Sequence, residues 1–246
     1  MKEIRGTGGR PTREDSERLA DKIVDVAARL MLEHGYGATS IDAIAQEAGV
    51  AKRTLYDRFP QKRDLFAAVI QRRRERFLAP VAKIGASGAD IETELKAIAR
   101  HLLDGALAAD SIALKRLVTA EAGRFPELAA VLHEEGLACG IKAMADILDA
   151  EVERGILCIR DTTFAAQQFL EMVLGPAQRR ATYGLPISSC VGCRRQDYVD
   201  EVVNLFLNGC RPRSKRDVAD TRVRTKTPAS SHRTARAQGT RLRRSE

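Results

Sequence analysis

The stretch that decides the fold is TSIDAIAQEAGVAKRTLYDRF, residues 39–59. Apolar residues in its first half recur with the period of an α-helix: Ile41, Ile44, Ala45 and Ala48. Gly49 follows directly and predicts the end of that helix. A second helix is predicted over Lys52–Phe59, because Pro60 cannot extend it. Two short helices joined by a turn that contains glycine are typical of a helix-turn-helix.

The second of these helices is too polar to be a core helix. Leu55 and Phe59 lie four residues apart, so both can face the rest of the molecule. The remaining side chains then point outward: Lys52, Arg53, Thr54, Tyr56 and Arg58. The DNA major groove is about 12 Å wide and admits one helix, and Lys, Arg and Thr can contact phosphates or base edges there. A solvated basic helix is the alternative, but it would not require the glycine turn and the preceding capped helix.

The first helix of the pair is predicted to begin with a capping box. Thr39-Ser40-Ile41-Asp42 places an acid at the third helical position, where it faces the helix start. An alternative role for Asp42 is to accept a hydrogen bond from cytosine N4 in DNA. We favour the cap, because a carboxylate repels the DNA backbone.

The rest of the chain also has helical periodicity. We predict helices from about Ser16 to Gly35 and from about Gln61 onward, then over 91–107, 112–122, 127–154, 162–183 and 196–208. Asp161 is predicted to cap the sixth of these segments, and Gly136 and Gly140 to bend the fifth. No segment alternates with period two over a useful length. The sequence therefore predicts an all-α protein of about nine helices.

Length and charge divide the chain into four parts. The 246 residues have a net charge of +8, of which residues 1–76 carry +4, residues 77–210 carry −5 and residues 211–246 carry +9. We predict a flexible basic arm (1–15), a DNA-binding domain (16–76), a ligand-binding and dimerisation domain (77–210) and a basic disordered tail (211–246). This distribution favours an anionic partner such as DNA at one end of the molecule. A solvated extension is the alternative for the tail.

Composition argues against a membrane-spanning protein and against a secreted one. No apolar run approaches the roughly 20 residues that span a bilayer, and the polar N-terminus has no signal-peptide core. Five cysteines, an odd number, favour free thiols in a reducing compartment. We expect a cytoplasmic protein with no membrane partner.

From Leu19 to Phe66 the sequence resembles the DNA-binding domain of TetR-type transcriptional regulators. The matching residues are Ala28-Arg29-Leu30-Met31, His34-Gly35-Tyr36, Thr39 to Ala45, Ala48-Gly49-Val50, Thr54-Leu55-Tyr56, Phe59, Lys62 and Leu65-Phe66. The resemblance implies a homodimer that binds a near-palindromic operator, and a C-terminal domain whose small-molecule effector usually releases the DNA. The predicted function is therefore a ligand-responsive repressor.

The same resemblance implies roles for individual residues. Lys52, Arg53 and Thr54 are expected to read bases, whereas Tyr56, Arg58 and Lys62 are expected to contact phosphates. Ser40 lies at the start of the first helix of the pair, where the family also contacts DNA. Arg10 resembles the family's basic arm, which enters the minor groove. An arm without a fixed contact is the alternative.

The C-terminal half resembles the AefR-like subgroup of TetR regulators in Arg116-Leu117-Val118, Glu121-Ala122 and Arg124-Phe125-Pro126-Glu127-Leu128. In the family the last two helices form the dimer interface. Its expected residues here are Phe169, Val173, Val199, Val202, Val203 and Phe206. Burial within one subunit would use the same residues, and the sequence leaves both readings open.

Two features of the sequence suggest functions other than a ligand-responsive repressor. Cys190 and Cys193 form a lone C-x-x-C beside two arginines, which suggests a thiol redox sensor, although incidental loop thiols are the default. The basic tail suggests a non-specific DNA binder. Neither a metal site nor a cofactor is expected, since the histidines are scattered and the C-x-x-C has no second pair. No nucleophile–base pattern indicates an enzyme.

Overall fold

A computed structural model describes residues 13–86, 88–186 and 195–212, and this part of the chain is all-α. One segment of π-helix, Leu132–Leu137, lies between the seventh and eighth α-helices. Within these ranges the ten α-helices are α1 (Arg13–His34), α2 (Ile41–Ala48), α3 (Lys52–Arg58), α4 (Lys62–Gly85), α5 (Ile91–Ala106), α6 (Ala109–Glu121), α7 (Pro126–Val131), α8 (Ala138–Glu153), α9 (Thr162–Thr182) and α10 (Arg195–Cys210).

Local sequence signals account for most of the helix ends. Pro126 is the first residue of α7, where its missing N–H costs nothing. The Asp161 carboxylate accepts a hydrogen bond from the Phe164 N–H at 2.9 Å and caps α9, as predicted. The stretch predicted as one bent helix over 127–154 is α7, the π-helical segment and α8 in direct succession, with Gly136 inside the π-helical segment. Such π-helical turns are often found at functional sites.

The helices pack around two apolar cores, and the members of one core come from both sides of residues 76 and 77. The first core joins α1, α2, α3 and the start of α4 to α6 and α7, through residues such as Leu117 and Leu128. The second joins the end of α4 to α5, α8, α9 and α10. Helix α4 continues through Pro80 and across the predicted boundary at residues 76 and 77. The helix-turn-helix therefore shares its core with helices of the following region.

The six residues expected at a dimer interface lie in the second core. Phe169, Val173, Val199 and Val203 have no exposed surface within one chain, and Val202 and Phe206 are also buried. The Phe169 and Phe206 rings pack with their centroids 4.9 Å apart. A side chain that is already covered within its own subunit adds almost no contact area to a second. Within one chain the six residues therefore build the core that holds α9 against α10, and a role for them in a dimer interface stays a prediction.

Several expectations fall outside the described residues. Arg10 and most of the arm, the Cys190/Cys193 pair, and the tail beyond residue 212 are among them.

Among the described helices, none combines the length and the apolar character that crossing a membrane requires.

Candidate nucleic-acid interface

The start of α2 is capped by Ser40. Its hydroxyl oxygen accepts a hydrogen bond from the Ala43 N–H at 3.0 Å. The predicted capping box placed Thr39 in that role. Instead, Thr39 is buried, and its hydroxyl lies 2.8 Å from the Gly35 carbonyl oxygen and 3.1 Å from that of Leu30. Thr39 therefore fastens α2 to the end of α1, and Ser40 satisfies a free N–H at the helix start.

The turn between α2 and α3 brings an acid and a base together. Gly49 adopts φ +67°, a left-handed conformation that other residues rarely take, and its N–H donates to the Gln46 carbonyl. Across this turn the Lys52 ammonium lies 2.5 Å from an Asp42 carboxylate oxygen. Both side chains are about half exposed or more. Asp42 thus pairs with Lys52, and the helix cap does not depend on it.

Helix α3 has one buried anchor and a solvent-facing surface. Leu55 is fully buried among the helices behind it, and Phe59 packs against the same core. On the opposite side the Arg53 side chain is 92% exposed, and Tyr56 is 45% exposed. Thr54 is half-buried between them. Arg53, Thr54 and Tyr56, together with Lys52, form what we call the reading face.

Arg58, expected to contact phosphate, is half-buried, and one of its guanidinium nitrogens donates a hydrogen bond to the Ser16 hydroxyl on α1. This contact ties the end of α3 to the start of α1. Arg58 therefore lies beside the reading face and is braced against the first helix.

Lys62 has a different environment from the one expected for a phosphate contact. Its ammonium donates to the carbonyl oxygens of Tyr36 at 2.7 Å, Thr39 at 2.9 Å and Gly37 at 3.3 Å. It also lies 4.5 Å from the centroid of the Tyr36 ring. An ammonium has three N–H donors, and all three have partners here. Lys62 therefore binds the loop between α1 and α2.

The same loop is held from the other side by Glu121, at the end of α6. Its two carboxylate oxygens accept from the Tyr36 N–H at 2.8 Å and the Gly37 N–H at 2.7 Å. The Tyr36 ring packs edge-on against Phe66 and Phe125, with centroids 5.8 and 5.2 Å away. We call this set the joint: Tyr36, Gly37, Lys62, Glu121 and Phe125.

Burial in the joint shifts two pKa values in opposite directions. Desolvation lowers the pKa of Lys62, and the carboxylates of Glu121 and Glu127 act against that shift. Desolvation raises the pKa of Tyr36 to about 12, helped by the charge of Glu127 and a hydrogen bond to it. The Tyr36 hydroxyl lies 3.5 Å from Glu127. The joint therefore favours a neutral phenol.

A cavity of about 440 Å³ lies beside α6 and is called the pocket. Its walls come from the end of α4, from α5, α6 and α7, from the π-helical segment, and from α8 and α9. Most lining side chains are apolar; the polar ones are Arg73, Arg74, Ser111, Lys115, His133 and Gln178. A mostly apolar cleft of this size with a few polar groups is the usual form of a small-molecule site. The sequence predicted a ligand-binding domain over 77–210 but no individual ligand-binding residue.

Within the described residues, no three His, Cys, Asp or Glu side chains are grouped as metal ligands would be.

Two family models match the sequence. One, described as bacterial regulatory proteins of the tetR family, matches residues 23–69. The other, described as the C-terminal domain of AefR-like transcriptional repressors, matches residues 93–209. The first match covers α2 and α3 with the reading face, and the second covers α6 with Glu121 and most of the pocket.

Individual relatives agree with the family models. The HTH-type transcriptional activator FasR of Mycolicibacterium smegmatis is 30% identical over 104 residues, which are 42% of this chain and 48% of the relative. The chain thus spans about half the length of that curated relative. The solved structure of a flavonoid-responsive regulator, FrrA, is 31% identical, with a TM-score of 0.64 over 80% of this chain and 100% of that one. A TetR-family structure from Mesorhizobium loti, 24% identical, shares the fold at TM-score 0.69 over 82% of this chain and all of its own.

Proposed function

Because the chain belongs to the TetR family of bacterial transcriptional regulators, we propose that it is a repressor that binds a near-palindromic operator as a homodimer and is released by a small-molecule effector. Proteins of this family bind DNA and are not enzymes. The reading face carries the proposal, since it presents exposed polar side chains on a helix that the Gly49 turn and the Leu55 anchor hold in place.

Within the reading face we assign base contacts to Arg53 and Thr54. Arg53 is almost fully exposed and lies 3.9 Å from Asp57, too far for a strong ion pair. Its guanidinium can therefore turn to the O6 and N7 atoms of a guanine without losing a partner. Lys52 can also contact DNA, but it must exchange the Asp42 carboxylate for a base or a phosphate.

We assign phosphate contacts to Tyr56 and Arg58 and a different role to Lys62. Tyr56 is 45% exposed and lies in the reading face, and the braced Arg58 guanidinium lies beside it. Lys62 has all three donors occupied by carbonyls, so a phosphate contact would cost it at least one of them. Its proposed role is to hold the loop before α2, and through that loop the angle of the reading head.

The dimer surface is proposed to be the exposed side of α9 and α10. Two large apolar residues there are open to solvent in the single chain: Phe164 is 60% exposed and Leu205 is 67% exposed. Isolated exposed apolar residues are common, but these two lie on the helices that dimerise in the family. The double substitution Phe164→Glu with Leu205→Glu should give monomers in sedimentation experiments while helix content stays unchanged.

The pocket is proposed as the effector site. Helices α4 and α6 each supply residues to both the joint and the pocket: Lys62 and Phe77 from α4, Glu121 and Leu114 from α6. A ligand that moves either helix therefore acts on contacts that hold the reading head. Induction then follows from linkage, provided that the ligand prefers the conformation that is unable to bind DNA.

Selection of bound sequences from a random DNA pool tests the proposal. Full-length protein should enrich one near-palindromic site. Arg53→Ala should weaken that site by about 1–3 kcal/mol with little change on random DNA. Lys142→Ala, which alters an exposed lysine on α8, is the matched control and should leave binding unchanged.

A chain truncated after residue 212 separates the reading face from the tail. Enrichment of the same site would confirm that α3 reads the sequence. Failure of the full-length protein to enrich any site, with loss of all binding in the truncated chain, would overturn the proposal in favour of a non-specific binder led by the tail.

A further inference from the structure

The charges of the pocket point to the chemistry of its occupant. Three cationic side chains line it, Arg73, Arg74 and Lys115, whereas no Asp or Glu is among its lining residues in the part of the chain that the structure describes. The rest of the described wall is largely aliphatic, with the aromatic ring of Phe77. An occupant of this cavity therefore meets apolar surface on most sides and positive charge at a few points.

Two of the three cations are already neutralised from outside the cavity. Arg73 lies 2.7 Å from an Asp110 carboxylate oxygen and also donates to the Ser111 hydroxyl. Arg74 lies 3.0 Å from a Glu135 carboxylate oxygen and donates to the carbonyl oxygen of the same residue. These ion pairs fix both guanidinium groups in the wall. Neither arginine needs a further anion.

Lys115 has no such counter-charge. Its ammonium donates to the Gln178 side-chain oxygen at 2.8 Å and forms no ion pair with any described carboxylate. Glu171, whose negative charge acts to raise the pKa of Lys115, is 3.1 Å from Arg179 and largely exposed. Burial lowers the pKa of Lys115, which means that its charge is poorly solvated.

A half-buried ammonium with one neutral acceptor is an incomplete arrangement. It has three N–H donors, and a hydrogen bond between two ionised groups is about twice as strong as one between neutral groups. An anionic oxygen in the pocket would replace solvation that burial has removed. Gln178 would orient the ammonium toward it.

We propose that the effector is an amphipathic organic anion whose apolar body fills the pocket and whose anionic oxygen binds Lys115. This inference rests on the proposed function only in taking the pocket as the effector site. The body would lie against Phe77, Leu102 and Met144, and the head group beside Lys115 and Gln178. Carboxylates and phosphates share the chemistry that Lys115 recognises.

Four ligands with the same ten-carbon chain test the charge requirement: decanoate, decyl phosphate, decanol and decylamine. They are titrated into the full-length protein by calorimetry, below their micellar concentrations. Decanoate or decyl phosphate should bind at least tenfold more tightly than decanol, and decylamine should bind most weakly. The better of the two anions identifies the head group. Equal affinity for the anions and decanol, or no binding of any of the four, would overturn the proposal.

Variants then assign the preference to Lys115. Lys115→Met keeps the length and apolar stem of the side chain, and it should reduce the anion-to-alcohol preference to about onefold. Lys115→Arg should retain a preference for the anion. The control Lys142→Met removes an exposed ammonium that is 3.0 Å from Asp146, and it should bind all four ligands as the unaltered protein does. A preference that survives Lys115→Met would overturn the assignment.

Operator binding by the unaltered, ligand-free protein separates this inference from the proposed function. If the protein binds an operator but shows no anion preference, only the ligand class is wrong. If it shows the preference but selects no DNA site, the repressor function fails while the ligand class stands.

Discussion

The joint and the pocket each contain a partly buried lysine, and the two lysines differ in how completely they are partnered. Lys62 in the joint has three carbonyl acceptors and an aromatic ring around its ammonium. Lys115 in the pocket has one amide oxygen. Burial lowers the pKa of both groups. A completely partnered buried cation is expected to stabilise the fold, whereas an incompletely partnered one is free to bind a ligand.

The largest expected effect comes from removing each ammonium in turn. Lys62→Met leaves three carbonyls without their donor, and the contacts to two of them are partly buried. We expect the free energy of unfolding to fall by about 3–4 kcal/mol, since hydrogen bonds to charged groups contribute about 1.5–3 kcal/mol each and are not additive. Lys115→Met replaces a poorly solvated charge with an apolar group, so it should change stability by less than about 1 kcal/mol. Urea unfolding of the full chain measures both.

Equal losses for the two variants would contradict the comparison. The operator affinity of folded Lys62→Met gives a second result. If the slope of log affinity against log salt concentration becomes shallower by about one, the variant has lost one phosphate contact. That result would support the role that the sequence predicted for Lys62.

The next prediction concerns the ionisation of the Tyr36 phenol, which reports how well the joint excludes water. The pKa of Tyr36 is raised to about 12 in the folded protein, against about 10 in the unfolded chain. The neutral phenol is therefore favoured by folding, and its contribution is fully present below pH 10 and is lost as the pH rises from 10 to 12. At about 1.4 kcal/mol per pKa unit, the loss reaches about 2–3 kcal/mol.

The measurement is the pH dependence of unfolding for the unaltered protein minus that for Tyr36→Phe. The phenylalanine variant keeps the ring packed against Phe66 and Phe125 and removes only the ionisable group. If the free energy of unfolding changes equally for both proteins between pH 10 and 12, Tyr36 is solvated and the joint is loosely packed.

A smaller effect probes the packing of the pocket wall. A Cβ added at Gly105 would lie 2.4 Å from the Phe77 ring, so Gly105→Ala must displace that ring. We expect overpacking to cost about 1–3 kcal/mol and the better helix propensity of alanine to return about 1, for a net loss near 1 kcal/mol. Gly140→Ala is the control, because its Cβ would meet no atom within 4 Å. It should stabilise the protein slightly.

Thermal unfolding distinguishes the two glycine variants. Stabilisation by Gly105→Ala as large as that by Gly140→Ala would show that Phe77 moves freely, and the pocket would then have no fixed wall on that side.

The same contrast explains how far the sequence predicted the site. The helix-turn-helix lies within about twenty consecutive residues, and its signals are local: the Gly49 turn, the Leu55 anchor and the polar outer face. The joint combines Tyr36 with Glu121, and the pocket takes residues from Ile70 to Gln178. Contacts between distant residues leave no periodic pattern. Glu121 and Phe125 did appear in the AefR-like motif, but only the fold shows that they hold the loop before α2.

The sequence also could not predict which apolar helix faces are buried within one chain. Val199, Val203 and Phe206 are as suitable for a dimer interface as for a core, because both need an apolar helix face. Only the packing of α10 against α5 and α9 assigns them to the core. The exposed residues Phe164 and Leu205 on the same helices carry the dimer proposal.

The smallest effect is expected at an ion pair that lies outside both regions. Asp42 and Lys52 are 2.5 Å apart but largely solvated, and exposed pairs contribute at most about 1 kcal/mol. Asp42→Asn should therefore hardly change stability.

The same variant removes a negative charge beside the reading face and frees Lys52, so affinity for random DNA should rise several-fold and fall more steeply with salt. If Asp42 instead accepts from cytosine, the variant loses operator affinity by about 1–3 kcal/mol at one base pair only. Competition binding against operators altered at single positions separates these results, and the second would place Asp42 in the reading face.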